Sequence, residues 1–159
     1  SGCDMANLTV TLETVEAQEI HGVWGKSSDR TVSKDIPSLS AEYYRAIGKK
    51  EGEVLPLYVL SRNYDPRTEA FELLIAGNFV APPLAAFTLE AGLYARITVR
   101  PKLGFLWGPA VGEAKRYFYT KWLPGSGYAA RNLEYELHTE KSVGKAPSID
   151  LLFAVRGKD

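Results

Sequence analysis

Cysteine, histidine and methionine are nearly missing from this chain of 159 residues, which has one cysteine, two histidines and one methionine. A lone Cys3 excludes an internal disulfide, and with only His21 and His138 beside it a Cys/His metal cluster is excluded as well. Two histidines also leave few candidates for a histidine-based triad. No apolar run approaches the roughly 18 residues of a membrane span. Net charge is lacking too, since 19 Lys and Arg balance 19 Asp and Glu. That balance argues against a general binder of nucleic acid or anionic membrane, which carries a basic excess. The opening "SGCDM" reads either as a vector-derived leader before Met5 or as the remainder of a lipoprotein signal ending at Cys3. The first reading leads to a cytoplasmic protein, the second to a lipid anchor.

Aromatic residues, in contrast, are plentiful: three Trp, nine Tyr and six Phe, 11% of the chain. Several can be spared from the core, and the dominance of tyrosine suits a pocket, because a phenol both packs and hydrogen-bonds.

The chain also repeats itself. "TLETVEAQEIHGVWG" (11–25) and "TLEAGLYARITVR" (88–100) open alike at a spacing of 77, and "YVL" (58–60) and "YEL" (135–137) share that spacing. "ELLIAG" (72–77) and "DLLFAV" (150–155) match at 78. Together these matches point to an internal duplication, with copies at about 9–79 and 86–157 within a single domain. Each copy reads as a strand, a helix and a two-stranded hairpin, so the expected class is α+β with an antiparallel sheet and one main helix per half. The first helix is expected from Pro37 to Ile47, capped by Asp35 and ended by Gly48. The second is expected from Pro109 to Leu123, with Val111, Ala114, Phe118 and Trp122 on one face. The hairpins occupy 55–77, with "NYDPRTE" as turn, and 133–157, with "EKSVGKAPS" as turn. The two prolines of "NFVAPPLAA" (78–86) mark the link between the copies.

One stretch departs from the repeat. In "NLEYELHTE" (132–140), Leu133, Tyr135 and Leu137 alternate with Glu134, Glu136 and His138. At the spacing of 77, Glu136 stands opposite Val59 and Glu134 opposite Leu57, so carboxylates replace apolar residues. If both copies keep the same inward faces, Glu136 points into a shielded space. Burial of an unpartnered carboxylate costs several kcal/mol or raises its pKa. If the second hairpin has a wetter face, these side chains are merely solvated.

"KWLPGSGYAARNLEYEL" (121–137), with "LEAGLYARITVR" (89–100) and "RNYDPRTEAFELLIAG" (62–77), resembles the GyrI-like effector-binding family. The resemblance runs from about Leu8 to Gly157 and centres on Trp122 to Tyr128 and their distance to Glu136. It implies a duplicated βαββ (SHS2-like) plan with a ligand pocket between the halves, as in multidrug-sensing and AraC-type regulators. It further implies aromatic rings around one acid, which the match places at Glu136, with Glu134 as the choice of a two-residue slip. Tyr58 and Tyr94 fall where the family presents rings. Phe153 adjoins Leu152, which occupies a position that is often aromatic. The proline usual before the glutamate strand is absent from "AARNLEYE".

Other candidates come from pattern. Trp107 in "GFLWGP" (104–109) forms a pocket wall or lid, or else a loop anchor. Tyr119 lies beside the apolar stripe of its helix, whose Phe118 and Trp122 read as core. His21 reads as structural or exposed, and His138 as an exposed strand end or a modulator of Glu136.

Three functions follow. The first is a stand-alone small-molecule binding protein, a sensor or sequestering module for hydrophobic or cationic aromatic compounds. No cofactor and no metal is expected, and with no helix-turn-helix preceding the domain direct nucleic-acid binding is not expected. The second is a hydrolase of reactive, cyclopropane-containing DNA-alkylating natural products, as some relatives are, with Glu136, if burial raises its pKa, as general acid or to orient a water, and Tyr58 or Tyr94 polarising a substrate oxygen. The third is a protein-interaction module with a regulator or gyrase as partner, since a founding family member acts on DNA gyrase.

Overall fold

Period-two alternation of apolar residues dominates the chain, and the structure, a computed structural model that describes residues 8–159, turns it into eight strands. They are β1 (Thr11–Val15), β2 (Gln18–Ser28), β3 (Leu57–Asp65), β4 (Ala70–Gly77), β5 (Ala85–Leu89), β6 (Gly92–Val99), β7 (Tyr128–His138) and β8 (Ile149–Gly157). Helix α1 (Val32–Ile47) follows β2, and helix α2 (Trp107–Tyr117) follows β6. Cys3 and the "SGCDM" leader lie outside the described residues. Among the described residues no helix is long and apolar enough to cross a membrane.

All eight strands form one antiparallel sheet in the order β1-β6-β8-β7-β3-β4-β2-β5. The duplication is plain in that order: β2-β4-β3 and β6-β8-β7 are two copies, joined where β3 meets β7. The initial strand of each copy was expected to be continuous, and it is not. It breaks at Glu16-Ala17 and at Glu90-Ala91, and the two short pieces cross over. β1 pairs with β6 of the second copy, and β5 pairs with β2 of the first. Each copy therefore covers an edge of the other, and the five-residue strands β1 and β5 become the edges of the sheet. The shared Glu-Ala at the breaks relates these strands at a spacing of 74, so the Thr-Leu-Glu match at 77 is three residues out of structural register.

The two faces of the sheet are packed differently. On one face α1 places Tyr43 and Tyr44 over Val59, Leu73 and Ile75, while α2 places Ala110 and Ala114, and the turn after it Phe118, over Ala95, Ile97, Leu151 and Phe153. On the other face the curled sheet closes on itself around Ile20, Tyr58, Leu60, Leu74, Leu89, Tyr94, Tyr135 and Leu152.

Both helices begin before their expected first residues. α1 begins at Val32, so Pro37 lies inside it and Asp35 is in its first turn. Asp35 does not cap by position. Its carboxylate accepts from Thr31 Oγ1 at 2.7 Å and Ser27 Oγ at 2.8 Å, beside the positive helix end. Gly48 closes the helix with φ 69°. α2 begins at Trp107, and a π-helical turn (Phe118–Trp122) follows, with the Leu123 N–H donating to the Phe118 carbonyl at 2.8 Å. Phe118 follows Ala110 and Ala114 at α-helical spacing on the buried face, where its ring stacks on Phe153 with centroids 3.9 Å apart.

Phe118 is fully buried whereas Val80 is 77% exposed. Phe118→Ala is expected to lose about 3–5 kcal/mol of stability in urea unfolding, and Val80→Ala less than about 0.5 kcal/mol.

Candidate functional site

Each helix buries its apolar stripe against its own half, and neither covers the β3–β7 seam. A cavity of about 740 Å³ remains there. Its floor is Val59, Ser61, Glu134 and Glu136, which strand alternation turns to the helix side. Val32 and Ile36 of α1 form one wall. Lys115 and Arg116 of α2 and Tyr119 of the π-turn form the other. Asp29, Arg62, Tyr64, Phe71, Ala130, Asn132 and Leu133 complete the lining.

The seam has a local symmetry. Val59 and Glu136 are counterparts at the repeat spacing of 77, and they are also direct partners across β3 and β7. A residue paired with its own counterpart sits on the internal two-fold axis. Glu136, one of the two carboxylates that break the repeat, therefore lies at the centre of the cavity floor.

The floor is charged and tightly organised. Glu134 accepts from the Tyr119 hydroxyl and lies 2.8 Å from Lys115 Nζ. Glu136 Oε1 is 3.1 Å from His138 Nε2. Both glutamate side chains are 16% exposed. Burial pushes the Glu136 carboxyl up, but the His138 hydrogen bond and the Lys115 charge outweigh it, and the net pKa lies below the ordinary carboxylate value. Glu136 is thus an ionised carboxylate, not the neutral acid that burial alone would make. For Lys115, burial works against the charge, yet Glu134 and Glu136 outweigh it and hold its pKa above the ordinary value. Tyr119 is raised far beyond the usual phenol range, first by burial and then by Glu134, so it remains a donor.

At the rim, β3 and β7 are bulged. Asn63 and Asn132 have φ of 57° and 56°, and the ladders shift register beside both. The Asn132 side chain accepts from the Tyr64 N–H at 2.8 Å and donates to its carbonyl at 3.1 Å. Tyr64 is thereby held over the cavity, with its hydroxyl donating to Asp29 Oδ2 at 2.7 Å and its ring 6.3 Å from that of Phe71.

Of the residues singled out from the sequence, Glu136 and Tyr119 line this cavity. The others lie elsewhere. Tyr58 and Tyr94 are on the opposite face, packed on Tyr135 at 5.7 and 5.8 Å. Their hydroxyls donate to Gln18 Oε1 and the Glu90 carbonyl. Alternation decides this, because both share the face of Tyr135, opposite to that of Glu136. Phe153 lies beneath Phe118 and meets Tyr119 edge-on at 5.7 Å, behind the wall. Trp107 starts α2 and packs on His138 at 6.5 Å, which makes His138 part-buried and not an exposed strand end. Glu134, Lys115, Tyr64 and Phe71 were not assigned to the site from sequence, Glu134 entering only as the slipped alternative. The signal for Lys115 was its place one helical turn before Tyr119. Tyr64 was hidden because "NYDPRTE" reads as a turn, whereas β3 runs on to Asp65. Among the described residues no three His, Cys, Asp or Glu side chains group to hold a metal.

No family model and no curated protein matches the chain. Solved structures do. One is SAV2435 bound to tetraphenylphosphonium, at TM-score 0.69 and 12% identity, covering 94% of this chain and 95% of that one. Another is the integron cassette protein VCH_CASS2 from the mobile metagenome of Vibrio cholerae, at 0.65 and 16%, covering 92% and 95%. A third is the C-terminal domain of EcmrR, at 0.63 and 13%, covering 94% and 98%. The likeness establishes the fold. At these identities it carries nothing about activity.

Because folding lowers the Glu136 pKa, the ionised carboxylate contributes stability that is fully present above its ordinary pKa and is lost as pH falls through the lowered value. The stability advantage of the wild type over Glu136→Gln is therefore expected to shrink between pH 7 and pH 3. Chemical denaturation across that range checks it; a constant difference would contradict the ionised assignment.

Proposed function

We propose that the protein is a small-molecule binding protein of the GyrI-like effector-binding type, taking hydrophobic aromatic cations over the β3–β7 seam. The observation that carries this reading is the floor itself: two part-buried carboxylates share one lysine beneath aromatic side chains. A cavity of about 740 Å³ is in the usual range for a drug-sized ligand. Tyr64, Phe71 and Tyr119 offer apolar area and cation–π attraction, and Glu136 offers the counter-charge. The tetraphenylphosphonium held by SAV2435, a protein of the same fold, is a compound of this class.

Such a module acts as a sensor or a sequestering protein. The hydrolase reading used Glu136 either as a general acid or to orient a water; a lowered Glu136 pKa argues against the first role only.

Titration calorimetry with tetraphenylphosphonium is expected to give saturable binding with Kd on the order of micromolar. Glu136→Gln is expected to weaken it at least about tenfold, or ~1.4 kcal/mol. Neutral triphenylphosphine oxide is expected to bind both proteins weakly and equally. Equal cation binding by the two proteins would refute the assignment, and a chemically altered ligand by mass spectrometry would make the protein an enzyme.

A further inference from the structure

We propose that Lys115 sets the charge class of the ligand: by engaging one of the two floor carboxylates it reserves the cavity for monocations, and without it the same cavity selects dications. The inference rests on the cation-binding reading above.

Glu134 and Glu136 are alternate residues of one strand, so they project to the same side about 7 Å apart. Two such carboxylates would match a ligand with two separated positive charges. Lys115 changes that match. Its ammonium lies 2.8 Å from Glu134 Oε2 and lines the same cavity. It stands where the second charge of a dication would go.

On the floor of the cavity one carboxylate is left without a cation paired to it. Arg62 is engaged by Glu72 at 2.6 Å, with its guanidinium 4.3 Å over the Trp24 ring. Asp29 and Arg116, also in the lining, are exposed to solvent, with Asp29 accepting from the Tyr64 hydroxyl. Glu134 is taken by Lys115 and Tyr119. What remains is Glu136, with His138 behind it as a hydrogen-bond partner outside the cavity lining. Glu134, Glu136 and Lys115 together carry one net negative charge, which one ligand cation neutralises. A second ligand charge would have to displace the Lys115 ammonium or lie against it in a partly desolvated space, where like charges repel strongly.

The test uses ethidium and propidium, which share one aromatic ring system but carry one and two positive charges. Both are titrated by fluorescence at pH 8 into wild type, Lys115→Met and Lys115→Met/Glu134→Gln. Wild type is expected to bind ethidium at least as tightly as propidium. In Lys115→Met, the ratio of the two dissociation constants is expected to move toward propidium by about tenfold or more. The second substitution restores the single negative charge and is expected to return the ratio to the wild-type value. If Lys115→Met does not fold, as judged by far-ultraviolet circular dichroism, the double variant is compared with Glu134→Gln alone, whose floor is neutral. That variant is expected to bind both dyes about tenfold more weakly than the double variant. An unmoved ratio in folded Lys115→Met, or equal binding by the double variant and Glu134→Gln, overturns the role of Lys115 and leaves the cation site standing. Failure of wild type to bind either dye overturns both.

Discussion

The pairing of β3 with β7 is the constraint on which the rest of the molecule depends. It is the contact through which the central strands of the two copies meet, and it holds Val59 against Glu136 on the internal axis. Duplication alone would put the same residue type on both sides of that axis. The chain has instead diverged there, with valine in one copy and glutamate in the other. An apolar pair would close the seam as core, as Leu60 and Tyr135 do on the opposite face. A carboxylate there requires polar partners and space, and the separated helices provide both.

The partners come from the second copy. α2 contributes Lys115, the π-turn Tyr119, and the end of β7 His138. In the first copy α1 buries Tyr43 and Tyr44 against the sheet and contributes only apolar Val32 and Ile36 to the cavity. The cavity thus has one chemically plain wall and one charged wall. This division suits an amphipathic ligand, whose rings need area and whose charge needs a fixed counter-ion. The cost of holding two carboxylates close together is offset by Lys115, which pairs with Glu134 and whose charge also favours ionised Glu136.

Much of this was legible in the sequence, and the reasons for the rest are physical. The repeat led to the α+β duplication, Gly48 to the end of the first helix, and the mismatch of Glu136 with Val59 pointed to the centre of the cavity. Tyr58 and Tyr94 were assigned to the site by analogy, although alternation places them on the far face with Tyr135. Lys115 was passed over because a lysine on a helix reads as solvated unless its tertiary partner is known. Tyr64 depends on bulges at Asn63 and Asn132, and a positive φ at asparagine leaves no periodic trace. The crossing of β1 and β5 depends on Glu-Ala breaks that do not interrupt the apolar pattern enough to be read.

The most direct measurement is a crystal structure of the protein with tetraphenylphosphonium bound. The account expects the phosphonium over the β3–β7 seam, facing the Glu136 carboxylate, with its phenyl rings against Tyr64, Phe71 and Tyr119. A ligand seated on the opposite face, among Tyr58, Tyr94 and Tyr135, or on the outer surface with Glu136 still paired only to its own neighbours, would contradict it.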